Sequence, residues 1–397
     1  MASSRSSRYL DVVIPDDALA RRKMAFISGP RQVGKTTLAK RLLADEKNYF
    51  TWDESTFRRA WARSPADAVA TRGTGPIVLD EIQKDRRWKQ RLKGLYDVEG
   101  ERLPILVTGS ARLDTYRRGS DSLLGRYLPY RLHPFSVGER AKPPSPDDAL
   151  AAIGQMRATH AFACILDLGG FPEPLLGGAA ARANRWSRLR LDRILNEDVR
   201  DLRNVADGQA LRVMAELLPE RVGSLLSLNA IREDVSVAFG TAKAWLEVLE
   251  SLYHSFTIRP YAARTARALR AEPKLYLYDV LQIPRDARGA RLENTTALHL
   301  LKACHYWTDV AEGDFELRFL RDKEKREVDF VVLRDRRPWM LVECKSNETA
   351  PAPALLHWSK FFPKVPAFQL TTTKMDRVFA ASGVRVIDYE SFLAAFV

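Results

Sequence analysis

At 397 residues the chain is too long for one ordinary hydrophobic core and calls for two or three domains. With 46% hydrophobic and 28% charged residues it is not a disordered chain, and no apolar run reaches the roughly 18–20 residues needed to cross a bilayer. The net charge of +13, with 46 Arg against 17 Lys, fits a polyanionic partner, either nucleic acid or an acidic membrane surface, as readily as a solvated basic surface.

The first residues, Met1 to Tyr9, carry Arg5 and Arg8 but no apolar stretch suited to a secretory signal. Cys164, Cys304 and Cys344 are widely separated, without metal-ligand spacing, so a reducing cytoplasmic setting is expected. Up to the Pro-rich stretch Lys142–Asp148, short apolar runs alternate with helical patterns, as in a parallel α/β sheet. The runs are Met24–Ser28, Asn48–Trp52, Ile77–Leu79, Pro104–Thr108 and Tyr127–Leu132.

Directly after the first run, Gly29-Pro30-Arg31-Gln32-Val33-Gly34-Lys35-Thr36 matches G-x-x-x-x-G-K-[ST]. The glycines let backbone N–H groups converge on a phosphate, Lys35 suits the β- and γ-phosphates, and the Thr36 hydroxyl suits Mg²⁺. Thr37 extends the loop into the helix whose positive end faces the anion. ATP and Mg²⁺ are the cofactors expected.

Ile77-Val78-Leu79-Asp80-Glu81 is an apolar strand ending in two carboxylates, which is costly unless they bind something. Asp80 is expected to support the Mg²⁺ shell and Glu81 to polarise the attacking water. Thr108, which ends another strand, and then Ser110 just after it are placed to sense the γ-phosphate.

These features resemble the AAA-type ATPases, in particular a bacterial and archaeal group that joins such a domain to an uncharacterised carboxy-terminal domain. The resemblance rests on Ile27–Thr37, Leu79–Lys84, Val107–Arg112, Leu123–Arg126, Leu132–Ser136 and Gly169–Glu173. It implies a homo-oligomer and an arginine finger acting across subunits. Arg126 is the first candidate and Arg112 the second, with helix capping as the alternative role.

From about 150 to 275 the pattern is helical. Helices near Leu228–Val235 and Thr241–Tyr253 precede two candidate strands, Ser255–Tyr261 and Lys274–Tyr278, the order of a winged helix. Thr241, Lys243 and Trp245 would start its second helix. The wing would present Arg259, Arg264, Arg267, Arg270 and Lys274 to DNA phosphates, with Tyr261 stacking or packing.

Beyond 285 a helix near Leu292–Tyr306 leads to strands Phe315–Arg321, Glu327–Leu333 and Trp339–Lys345, the last after a turn at Arg336–Pro338. A helix near Ala354–Phe362, a strand near Ala367–Thr371 and a final strand and helix over Arg385–Phe396 complete the chain. Pairing the second and third strands antiparallel brings Asp329 to Glu343, and Lys345 shares the face of Glu343. Two carboxylates and an ammonium can hold a divalent metal and activate water.

The layout is similar to the PD-(D/E)XK nuclease superfamily, which implies a helical glutamate, here Glu293. Val328 stands where the family pattern has Pro. The expected architecture is α/β throughout: an AAA-type P-loop domain (1–142), a helical and winged-helix domain (150–282), and a nuclease-like domain (283–397). The expected function is ATP hydrolysis coupled to action on DNA, branched or structured DNA included, without a membrane. Metal-dependent cleavage at Glu293, Asp329, Glu343 and Lys345 would follow if that site is complete. The alternative is an ATP-dependent regulatory switch or scaffold whose nuclease-like domain is inactive.

Overall fold

The computed structural model describes residues 7–100, 102–109, 123–140, 142–155, 160–199, 207–262 and 271–397. They fall into two compact units: Met1–His133 with Arg140–Pro143, and Pro134–Glu139 with Pro144–Val397. Among them no helix is long and apolar enough to cross a membrane.

The first unit is built on five parallel strands in the order β2-β3-β4-β1-β5. These are β1 (Met24–Ser28), β2 (Tyr49–Thr51), β3 (Ile77–Asp80), β4 (Ile105–Thr108) and β5 (Tyr127–Arg131). Strands β1, β3 and β4 are buried along their whole length, which is why each reads as an unbroken apolar run rather than an alternation. Met24, Phe26, Ile77, Leu79, Ile105 and Val107 meet Phe57 and Trp61, one turn apart on the Ser55–Arg63 helix. Burying each of these large side chains contributes roughly 1.5–3 kcal/mol.

Ile27 and Asp80 both pair with Thr108, so the carboxyl ends of the three central strands finish level. That brings the polar residues ending each apolar run into one place.

The second unit holds an eight-stranded sheet in the order β12-β13-β11-β10-β9-β8-β6-β7. Its strands are β6 (Ser255–Pro260), β7 (Lys274–Leu277), β8 (Phe315–Arg321), β9 (Glu327–Arg334), β10 (Arg337–Cys344), β11 (Ala367–Thr371), β12 (Asp376–Phe379) and β13 (Val384–Asp388). Helices Leu228–Asp234 and Phe239–Ser251 precede the β6–β7 pair in the order expected.

That pair does not stand apart as a wing, however. Arg259 and Pro260 pair in parallel with Arg318 and Phe319, and Tyr261 N–H donates to Phe319 O at 2.7 Å. The middle and carboxy-terminal blocks therefore share one sheet, where the sequence suggested a separation near residue 282. The outer edge of β7 is closed by Asn294, which accepts from Leu277 N–H and donates to Leu277 O.

Other differences are local. The β9–β10 turn is Asp335-Arg336, both with positive φ (50° and 65°), and Arg337 and Pro338 already belong to β10. The second half of the Pro-rich linker is a helix, Pro146–Ala152, with Ser145 accepting from Asp148 N–H at its start. Strand β12 lies where no apolar pattern marked one.

Two buried imidazoles are expected to make this unit acid-sensitive. His299 accepts from Val137 N–H at 3.0 Å, and its Nδ1 lies 2.7 Å from Thr295 O. Burial pushes its pKa down to about 4, Lys302 also lowering it and Glu139 opposing. His254 is held at about 3 by burial and then by Arg190.

Both folded values lie below the ordinary 6.5. The unfolded chain therefore protonates first, and the stability these residues give above that pH is lost as pH falls toward 4. His299→Gln keeps one donor and one acceptor. Its loss of stability between pH 7 and 5 should be smaller than the wild-type loss by about 2 kcal/mol. Urea midpoints at the two pH values test this, and equal losses would count against it.

Candidate functional site

The loop between β1 and the Lys35–Arg41 helix supplies the first part of the site. Gly29 has φ 149° and runs so close to the residue after β5 that a Cβ there would lie 2.2 Å from Leu132 O. Gln32 and Gly34 also take positive φ (65° and 100°), which turns the loop back on itself ahead of the helix. Val33 is fully buried, and Lys35 is nearly so. The Lys35 ammonium donates to Gly29 O and Pro30 O, both at 2.8 Å.

Asp80 is the hub of the strand ends. Its Oδ2 accepts from Thr36 Oγ1 at 3.1 Å, and its Oδ1 accepts from Thr108 Oγ1 at 2.5 Å. Tyr49, at the start of β2, donates to the same Oδ2, and burial followed by this bond raises its pKa well above the usual phenol range.

Glu81 sits in the left-handed region with φ 57°, which aims its side chain off the strand line. Burial pushes its carboxyl above the ordinary glutamate range, with Lys35 and Lys84 pulling the other way. Gln83 donates to Glu81 Oε2 at 2.7 Å. Thus Lys35, Thr36, Asp80, Glu81 and Thr108 lie in one neighbourhood beside Gly29–Thr37. Hard oxygen donors from Thr36 and Asp80 suit Mg²⁺.

Three contributors escaped the sequence: Tyr49, Gln83 and Arg8. Gln83 lay within a motif but had no role there, and Arg8 carried no signal at all. Arg8 is buried and donates to Val33 O at 2.9 Å and to His133 O, clamping the phosphate loop to the segment after β5. Arg8→Ala leaves both carbonyls without that donor. It should cost about 3 kcal/mol and weaken ATP-analogue binding, read by thermal denaturation and titration.

Arg126 lies at the other end of the sheet, where its carbonyl accepts from Met24 N–H. Its guanidinium pairs with Asp97 at 2.7 Å. The five residues of β1 separate it from the phosphate loop by roughly 15 Å, so it cannot serve its own site. Ser110 and Arg112 lie outside the described residues, as do Arg264, Arg267 and Arg270.

The carboxy-terminal cluster also assembles. Continuing the antiparallel register sets Asp329 opposite Glu343. Asp329 N–H donates to Glu343 Oε2 at 3.3 Å, Cys344 N–H donates to Asp329 Oδ2 at 2.9 Å, and Lys345 donates to Glu343 Oε1 at 2.6 Å. Burial, then the Asp329 charge, raises both Glu293 and Glu343 above the ordinary range.

Lys274, expected on a DNA-facing wing, is instead buried at 2% exposure within this cluster. Its ammonium lies 2.6 Å from Glu327, 3.0 Å from Asp329 and 3.1 Å from Glu293. Burial alone would lower its pKa, but Asp329, Glu293 and Glu327 together raise it above the usual value. Tyr276 adds a hydrogen bond to Glu293 at 2.7 Å.

Of the two carboxylates expected to hold a divalent ion, Asp329 therefore lies against the Lys274 ammonium and Glu343 against that of Lys345. Among the described residues, no group of three or more His, Cys, Asp or Glu side chains is placed to hold a metal. Trp245 is likewise core and unavailable to DNA. Lys243 is exposed and Thr241 half-buried.

Residues 21–141 match the family model described as an AAA domain. Residues 160–280 and 288–392 match two domains of unknown function, DUF8612 and DUF4143. An uncharacterised protein of Mycobacterium tuberculosis is 24% identical over 347 residues, covering 81% of this chain and 72% of its own. A Mycobacterium bovis protein, also uncharacterised, matches with the same figures.

Among solved structures, the Aeropyrum pernix ORC1 protein in complex with DNA superposes at TM-score 0.32 and 16% identity. That alignment covers 73% of this chain and 91% of the other. Thermotoga maritima RuvB gives 0.30 and 17%, covering 59% and 81%. Superpositions this loose carry nothing over to the present chain.

Proposed function

We propose that the AAA-type P-loop domain at residues 21–141 hydrolyses ATP and that the rest of the chain turns the nucleotide state into a change on a bound partner. The observation that carries this is the hydrogen-bonded set Thr36–Asp80–Thr108 beside the phosphate loop. Lys35 would leave its two loop carbonyls for the β- and γ-phosphates. Thr36 and Asp80 would hold Mg²⁺, which when bound offsets charge on the phosphate oxygens. Glu81 would take the proton of the attacking water, and Thr108 would keep Asp80 oriented.

For the second unit we favour a platform over a cleavage centre. Cleavage through Glu293, Asp329, Glu343 and Lys345 needs a divalent ion among the carboxylates, and Lys274 supplies the positive charge there instead. DNA is the partner we propose, on the strength of the +13 charge. A homo-oligomer follows if Arg126 acts on a neighbour's nucleotide, since its own is out of reach.

Phosphate release from ATP tests the proposal, measured with and without single-stranded, duplex and four-way DNA. Turnover absent under all conditions removes the ATPase. Turnover indifferent to every DNA removes the DNA partner and leaves the ATPase standing.

A further inference from the structure

We propose that the outer face of the Pro353–Phe361 helix, with the β8–β9 turn beside it, binds single-stranded nucleic acid. This deepens the DNA reading above by naming a surface and a strand state.

The helix is two-sided. Leu355 is fully buried against the sheet and Ser359 follows one turn later. Half-buried Trp358 and Phe362 pack against the same core, and exposed Phe361 lies in ring contact with both, with centroids 4.9–6.0 Å apart across the three. His357 meets Trp358 at 5.6 Å, and Tyr261 meets Phe362 edge-on at 6.2 Å. Phe361 is 66% exposed, an apolar ring left to water although its neighbours are packed.

The β8–β9 turn is tied to this cluster by Trp358 Nε1, which donates to Arg326 O at 3.2 Å. Arg326 is neutralised by Asp322 and Glu324. Lys323 and Lys325 in the turn, and Lys360 and Lys364 at the end of the helix, are exposed. None of the four forms an ion pair among the described residues.

Four uncommitted ammonium groups on the two elements that meet at an exposed Phe361 ring and half-buried Trp358 fit a ligand with phosphates along its backbone and flat apolar faces between them. A duplex hides its base faces in the stack, so only a single strand offers both. An apolar protein helix would fill the aromatic face but leave the lysines unused.

Fluorescence anisotropy of a labelled oligo-thymidine on the full chain tests this at two salt concentrations. Phe361→Ala should weaken binding about tenfold. The Lys360→Glu, Lys364→Glu double variant should weaken it and flatten the salt dependence. Both should keep wild-type ATP hydrolysis and urea midpoint, since Lys360, Phe361 and Lys364 are all exposed and none belongs to the nucleotide site described above.

Unchanged affinity in both variants overturns the surface while leaving DNA as a partner. So does wild-type binding no tighter to the oligonucleotide than to a duplex of equal length. No binding to any DNA overturns the surface and the DNA reading together, without touching the ATPase.

Discussion

A Glu81→Gln protein is expected to bind ATP about as tightly as wild type and to hydrolyse it at least about a hundredfold more slowly. Glutamine preserves shape and the contact with Gln83 but cannot accept a proton from water. Glu81 is expected to act on the attacking water rather than to hold phosphate or Mg²⁺, so the loss should appear in kcat rather than in affinity. Lys35→Ala should differ in kind, weakening ATP binding as well, because on the proposed reading that ammonium would face phosphate in ground and transition states alike.

The pH profile gives an independent check. Burial raises the Glu81 pKa, and a base must be ionised to work. Activity should therefore fall on the acid side at a higher pH than an ordinary glutamate would give, and Glu81→Gln should remove that limb from the residual rate. A variant within a few-fold of wild type would assign the water-activating role elsewhere.

The phosphate loop was legible because its chemistry is local: glycines, lysine and threonine within eight positions, directly after an apolar run. Asp80 and Thr108 were legible for a related reason, since each ends a buried strand and parallel pairing levels those ends. The meeting of Asp329 with Glu343 followed from alternation and a short turn, which together leave one register open.

What escaped is held by distance along the chain. Arg8 finds its acceptors 25 and 125 positions away, and Lys274 finds Asp329 55 positions away. No periodicity encodes such contacts. Charge patterning placed Lys274 on a wing because a lysine between polar stretches usually faces water, and its burial is visible only once β7 joins the sheet. Strand β12 is almost wholly exposed, so the alternation that marks a half-buried strand is missing. The Pro146–Ala152 helix is different, for Ser145-Pro146-Asp147-Asp148 is a helix-start signature that reads as linker only when proline is taken as a breaker.

Lys274→Met should be the most damaging single change in the second unit. Methionine fills much the same space but leaves Glu293, Glu327 and Asp329 without their shared ammonium. Removing one partner of a buried ion cluster costs about 3–5 kcal/mol, against total domain stabilities of roughly 5–15. Protonation relieves the carboxylates that remain, so the deficit should shrink from pH 8 to pH 5. Adding Asp329→Asn should recover part of it, because asparagine can still accept from Cys344 N–H while one negative charge is gone. Urea midpoints of the second unit's transition, for both variants at both pH values, test the charge balance directly. A single variant as stable as wild type at pH 8 would mean that the carboxylates are neutralised by something other than Lys274.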